Sequence, residues 1–212
     1  MAETSFEEKI NTIKKWLGTG SINIFGLPMS GKDTQGVKLA KALNGKFISS
    51  GLIIRAMEYE TKQSYTHQGA LIPTDIFYEW VLPYFERQEN ANIPLVLSSI
   101  GRWAGEENEV MKKASAANHE IKAAIILSLS ESDVEKRFYD AKELNDRGDR
   151  PDDEDIQIFH HRLKEFREKT IPVLQHYSSL GLLIDVNGKK SREEVFNEIV
   201  EKLYAKASLS HA

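Results

Sequence analysis

The sequence predicts an α/β fold of three layers, with a five-stranded parallel sheet held between two sets of helices. Short β-type apolar runs alternate along the chain with longer stretches of helical periodicity. A glycine-rich turn joins the first of these runs to a helix, and no internal repeat or low-complexity tract breaks the alternation. Such alternation builds parallel sheets, because a helix must carry the chain back across a face before the next strand can run the same way. The loops after the strands then share one edge, where ligands of open sheets bind.

Taken in order, residues 5–17 set Phe6, Ile10, Ile13, Trp16 and Leu17 at helical spacing with Glu and Lys between them. That spacing predicts an amphipathic helix, ended by Gly18 and Gly20. Ser21–Phe25 reads as a buried strand and Gly31–Leu43 as a helix. Further strands are expected at Lys46–Ile48, Pro94–Ser98, Ala123–Leu129 and Leu182–Val186. Between them, residues 50–91 hold two helical patterns and no strand, and residues 140–153 are polar. Both segments read as insertions, the second as a flap. Phe77, Trp80, Val81 and Phe85 form an aromatic and aliphatic stripe read as core packing, with Thr74 expected to cap its helix.

Composition narrows the function. A length of 212 residues suffices for one buried domain with small lobes, and 41% hydrophobic against 28% charged residues is a globular mixture. The absence of cysteine excludes disulfides, thiolate metal sites and a cysteine nucleophile. No apolar run approaches the roughly 20 residues of a membrane span, and the start of the chain is acidic. A cytoplasmic protein with no membrane partner is the expectation. With 28 basic and 32 acidic residues and no like-charged block, a nucleic-acid surface is not expected either. Any bound anion must be held by a few well-placed cations.

The strongest local signal is Gly26-Leu27-Pro28-Met29-Ser30-Gly31-Lys32-Asp33-Thr34, between the first sheet strand and a helix. Glycines let backbone N–H groups wrap a phosphate chain, and the following helix adds its positive end. Lys32 supplies a point charge for terminal phosphates, and a hydroxyl nearby can help hold Mg²⁺. The strict pattern has Ser or Thr directly after the lysine; here Asp33 stands there and Thr34 follows. The histidines show no ligand spacing: His160 and His161 are helix neighbours that point about 100° apart.

With Gly26, Pro28, Gly31, Lys32, Thr34 and Gln35 in this order, the chain resembles the adenylate kinase family of nucleoside monophosphate kinases, from Ser21 to Leu203. Asp33 replaces that family's usual glycine. The resemblance implies a P-loop kinase fold with a short lid, ATP and Mg²⁺ as cofactors, a nucleoside monophosphate as partner, and a monomer. It divides the chain into an N-terminal helical extension (1–20) and a kinase domain (21–212). Within the domain it implies a core (21–49, 92–138, 153–212), an acceptor insert (50–91) and a lid (139–152). Gly26, Met29, Ser30, Gly31, Lys32, Asp33, Thr34 and Arg137 would bind ATP, with Thr34 toward the metal. Ser50, Gly51, Arg55, Ile72, Arg102 and Glu106 would receive the acceptor. Lys32, Arg102, Arg137, Arg150 and Arg162 would serve catalysis, with Arg147 a further candidate.

Three departures matter. Ser98-Ser99-Ile100-Gly101-Arg102 stands where the family has Asp-Gly-Phe-Pro-Arg, so a carboxylate expected near the Mg²⁺ water shell is missing at Ser98. Ala141 stands where an arginine is expected four residues after Arg137. Glu106 stands where the family reads adenine with glutamine; it would suit a base edge with two donors, or merely favour a helix start. AMP is the leading acceptor, with GMP, CMP or UMP, a non-nucleotide acceptor, or a nucleotide-binding protein without turnover as alternatives.

Overall fold

The computed structural model of the chain describes residues 4–66, 69–144 and 155–209. In order, the elements are α1 (Phe6–Leu17), β1 (Ser21–Gly26), α2 (Lys32–Leu43), β2 (Lys46–Ser49), α3 (Ser50–Thr61) and α4 (Thr74–Trp80). They continue with β3 (Leu95–Ser98), α5 (Glu106–Ala116), β4 (Ile121–Ser128), α6 (Glu131–Leu144), α7 (Ile156–Glu165), α8 (Ile171–Ser179), β5 (Leu183–Asn187) and α9 (Arg192–Leu209). The sheet is five-stranded, in the order β2-β3-β1-β4-β5, and every pairing is parallel. The expected α/β architecture is therefore present. Its boundaries shift by a residue or two: β3 begins after Pro94, which has no N–H for the ladder, and β4 starts earlier at Ile121.

Each sheet face carries its own core, as alternating side chains on parallel strands require. Ile22 and Ile24 of β1 point into one core with Leu39 and Leu43 of α2, and Phe196, Ile199 and Leu203 of α9. Helix α1 closes this side: Ile10, Ile13, Trp16 and Leu17 are buried there, while Phe6 stays half exposed against the Phe196 ring at 6.1 Å. A capping box starts that helix, with Glu8 N–H donating to Ser5 and Ser5 N–H donating to Glu8. On the other face Phe25 packs with Leu97, Phe77, Trp80, Phe138, Phe159 and Tyr177. The aromatic stripe of α4 and the turn after it is thus core. Thr74 does not cap α4: Pro73 occupies that position, and the Thr74 hydroxyl turns toward Glu106.

Register brings the site together. Ser98 pairs with Ile24 on one side and Ser49 on the other. The phosphate loop after β1, the segment after β3 and the start of α3 therefore leave the sheet side by side.

Candidate active site

The donor side is built from backbone. Gly31 caps α2 at φ 86°, a left-handed conformation that favours glycine, and the loop bends again at Met29 with φ 67°. A side chain at Gly26 has no room, since a Cβ there would lie 2.5 Å from Ser30 Oγ. Ser30 Oγ is buried without a hydrogen-bond partner inside this cradle. Arg137 supports the loop from α6. Its guanidinium donates to the carbonyls of Met29 (3.4 Å), Ser30 (3.3 Å) and Gly188 (2.7 Å), tying the loop to the turn after β5. Lys32, Asp33 and Thr34 form the first turn of α2. Asp33 Oδ1 accepts a hydrogen bond from Ser98 Oγ at 2.5 Å, so a carboxylate stands at the end of β3 although Ser98 itself carries none.

The acceptor side is a cavity of about 380 Å³. Ser50, Gly51 and Arg55 of α3 line it, with Ile72, Arg102, Glu106 and Arg162. Apolar walls come from Ile54, Ile72 and Phe77. All the acceptor residues expected from sequence meet in this one space. Ser50 also ties α3 to the segment after β3 by donating to the Ser99 carbonyl at 2.9 Å.

Two carboxylates that sequence reasoning did not single out shape the cavity. Glu58 accepts from the Tyr65 and Thr66 amides at 2.6 and 2.7 Å and from the Thr66 hydroxyl at 2.7 Å. Glu165, 94 residues from its partner, accepts from the Leu71 amide at 3.3 Å and pairs with Lys169 at 2.6 Å. Glu165 thereby fastens the acceptor loop to α7, where a Cβ on Gly69 would meet Arg162 Cγ at 2.8 Å. Glu58 shows only a helix-face carboxylate in the sequence, and Glu165 only a charge in an amphipathic helix.

Charge is concentrated around Arg102. Burial, and then the neighbouring Arg162, push its pKa down to about 10; Glu165, Glu106 and Asp33 pull the other way. It remains a cation at neutral pH. Glu106 is 3% exposed, and both its oxygens are engaged: Oε2 accepts from the Arg102 and Trp103 amides at 2.8 and 3.0 Å, Oε1 from Thr74 at 2.8 Å. Burial raises its pKa, and those same amide and hydroxyl donors oppose the rise. Glu106 therefore organises the Arg102 loop and the start of α4 whatever else it meets. Arg147 and Arg150 lie outside the described residues, as does most of the expected lid. His160 sits 3.0 Å from Glu135, and His119 hydrogen-bonds the Thr19 carbonyl at 2.8 Å. Among the described residues no group of three or more histidine and acidic side chains could hold a metal by itself.

That donor set nevertheless suits magnesium. A magnesium ion on a nucleotide takes one or two protein carboxylates, with phosphate oxygens and water completing its shell. The Asp33 carboxylate and the Ser98 and Thr34 hydroxyls are hard oxygen groups of this kind, beside a cradle fit for phosphate.

No protein-family model matches the chain. Among curated proteins it is similar to an adenylate kinase of Azobacteroides pseudotrichonymphae, 29% identical over 86% of this chain and 96% of the relative. It is similar to adenylate kinase 1 of Nostoc sp. at 30% identity, over 82% of this chain and 93% of the relative. The chain belongs to the adenylate kinase family. UMP-CMP kinase 1 of Oryza sativa matches at 27% identity over 83% of this chain and 70% of that protein. Adenylate kinases and UMP-CMP kinases thus stand at nearly equal distance, and membership means a nucleoside monophosphate kinase without naming the acceptor base. Among the described residues of this adenylate kinase family member, no helix is long and apolar enough to cross a membrane.

Proposed function

We propose that the protein transfers the terminal phosphoryl group of ATP to AMP, reversibly and with Mg²⁺, yielding two molecules of ADP. The supporting observation is the pairing of a backbone cradle at Gly26–Gly31 with a cavity of about 380 Å³ lined by Arg55, Arg102 and Arg162 and walled by apolar side chains. One end suits a phosphate and the other a nucleobase. Two of the three relatives named above are called adenylate kinases and the third a UMP-CMP kinase, so AMP is the leading acceptor and a pyrimidine monophosphate the alternative.

Phosphoryl transfer asks little covalent chemistry of a protein; positioning and positive charge carry it. In this reading the loop amides, Ser30 and Lys32 hold the donor phosphates, and Arg137 stiffens the loop from behind. Ser50, Gly51 and Arg55 seat the acceptor phosphate, while Ile72 and Phe77 cover its base. Arg102 and Arg162, adjacent in the cavity, stabilise charge on the group in transit, with Arg150 joining from the lid. Magnesium, when bound, would neutralise charge on the β- and γ-phosphate oxygens. Residues 50–91 and 139–152 serve as acceptor insert and lid around the core at 21–49, 92–138 and 153–212. The extension at 1–20 braces α9, through contacts such as Lys9–Glu201 at 2.6 Å.

The test is ADP formation from MgATP with AMP, GMP, CMP, UMP and dTMP in parallel, with Lys32→Ala as control. Lys32-dependent turnover with AMP is the expected result. Turnover confined to CMP and UMP would reassign the acceptor, and none with any monophosphate, despite ATP binding, would overturn the kinase reading.

A further inference from the structure

The relation between Asp33 and Ser98 is a rearrangement rather than a loss. Asp33 is the second residue of α2, directly after the phosphate-loop lysine, and Ser98 is the last residue of β3. Although 65 residues apart, they are joined by the 2.5 Å hydrogen bond from Ser98 Oγ to Asp33 Oδ1. The serine is 1% exposed and firmly placed. Its backbone sits in the β1–β3 register, the next amide donates to the Ile24 carbonyl at 3.0 Å, and Asn23 clamps both the N–H and C=O of Ile100. Asp33 is also close enough to favour the charge on Arg102, which lines the acceptor cavity. One carboxylate thus stands where the donor cradle and the acceptor arginine meet.

A fixed anion at that corner is costly for a phosphate site unless a cation intervenes. Two negative groups a few ångströms apart repel by several kcal/mol where the effective dielectric is about 20. We infer that Asp33 is this protein's metal-facing carboxylate, oriented by Ser98 to hold the water shell of nucleotide-bound Mg²⁺, and that it makes ATP binding depend on the metal. The inference rests on the donor-site reading above. Lys32 attracts phosphate with or without a metal, whereas Asp33 discriminates: it opposes bare ATP and favours MgATP.

The experiment is calorimetric titration of the full chain with ATP at constant ionic strength, once in excess MgCl₂ and once in EDTA. The wild-type protein should bind MgATP at least about tenfold more tightly than ATP in EDTA, the effect of one nearby unit charge. Asp33→Asn, which keeps the side chain's shape, should collapse that ratio chiefly by strengthening metal-free binding. Asp33→Gly should do the same, and Asp33→Gly with Ser98→Asp should restore it by moving the carboxylate to the other side of the hydrogen bond. Simple loss of folding lowers both affinities together and cannot produce this pattern. An unchanged ratio in Asp33→Asn would overturn the role of Asp33 while leaving the kinase reading intact. Absence of ATP binding to the wild-type protein in either buffer would instead overturn the donor site, and this inference with it.

Discussion

The two halves of the site are made differently. The donor cradle is a continuous run of nine residues, Gly26–Thr34, whose working parts are backbone amides, a left-handed glycine and one lysine. The acceptor cavity collects side chains from α3, the loop near Ile72, the segment after β3 and α7, and it is held in shape by Glu58, Glu106 and Glu165. A backbone site tolerates change only where no side chain enters; a side-chain site tolerates change only where its supports survive. Such a contrast can be broken by mutation.

The largest effect is expected at the lysine of the donor cradle. Lys32→Ala should lower kcat by about 10²–10³-fold, the usual loss when one charge-stabilising donor is removed. Circular dichroism should stay unchanged, because the half-buried lysine lies at a helix start and belongs to neither hydrophobic core. Next in size are two substitutions that separate the halves. Gly26→Val forces atoms toward Ser30 Oγ, 2.5 Å from the position of a Cβ, and should weaken ATP binding by about 1–3 kcal/mol while sparing AMP. Arg102→Ala should raise the KM for AMP by about 10–100-fold, as loss of a charged hydrogen-bond donor does, with the KM for ATP little changed. Equal losses for both nucleotides in either variant would show that the halves are not independent.

A smaller effect is expected at the supports. Glu106→Ala strips acceptors from the Arg102 and Trp103 amides and from Thr74, and should cost about 1–3 kcal/mol in a denaturant melt. Glu106→Gln should recover only part, because it keeps one oxygen but places an NH₂ group against donors. The smallest effect lies far from the cavity. Glu198 is held down to about 2 by hydrogen bonds from Lys190, then Lys202, against an ordinary value of 4.5. A depressed carboxylate contributes stability above its unfolded pKa and loses it as pH falls through the folded one. Stability should therefore decline between about pH 4.5 and 2, and Glu198→Gln should make that decline shallower. Glu106 has the opposite sign: its raised pKa means that the folded state gains from protonation as pH falls.

Much of this was legible without coordinates. The strand and helix pattern predicts the five-stranded sheet, and Gly-x₄-Gly-Lys predicts the cradle, because both are repeats or runs of neighbouring residues. The family resemblance points to Ser50, Gly51, Arg55, Ile72, Arg102, Glu106 and Arg162 one by one, and the fold brings all of them to one cavity. Arg137 is expected from the resemblance to bind ATP and stabilise transferring charge, and the fold sets its guanidinium against carbonyls of the phosphate loop and of Gly188. Glu106 was open between base reading and helix start, and three protein donors engage it.

What the sequence determined by itself was whatever depends on near neighbours: hydrophobic period, turn chemistry and the phosphate loop. Only the tertiary structure decided that Glu165 holds Leu71 and that Ser98 and Asp33 share a hydrogen bond. In the sequence Ser98 is a missing carboxylate and Asp33 a misplaced one, two separate departures. Parallel strands made them neighbours, because β1 and β3 end together at the edge where α2 begins. A hydrogen bond depends on distance in space, and 65 residues of chain carry no local trace of it.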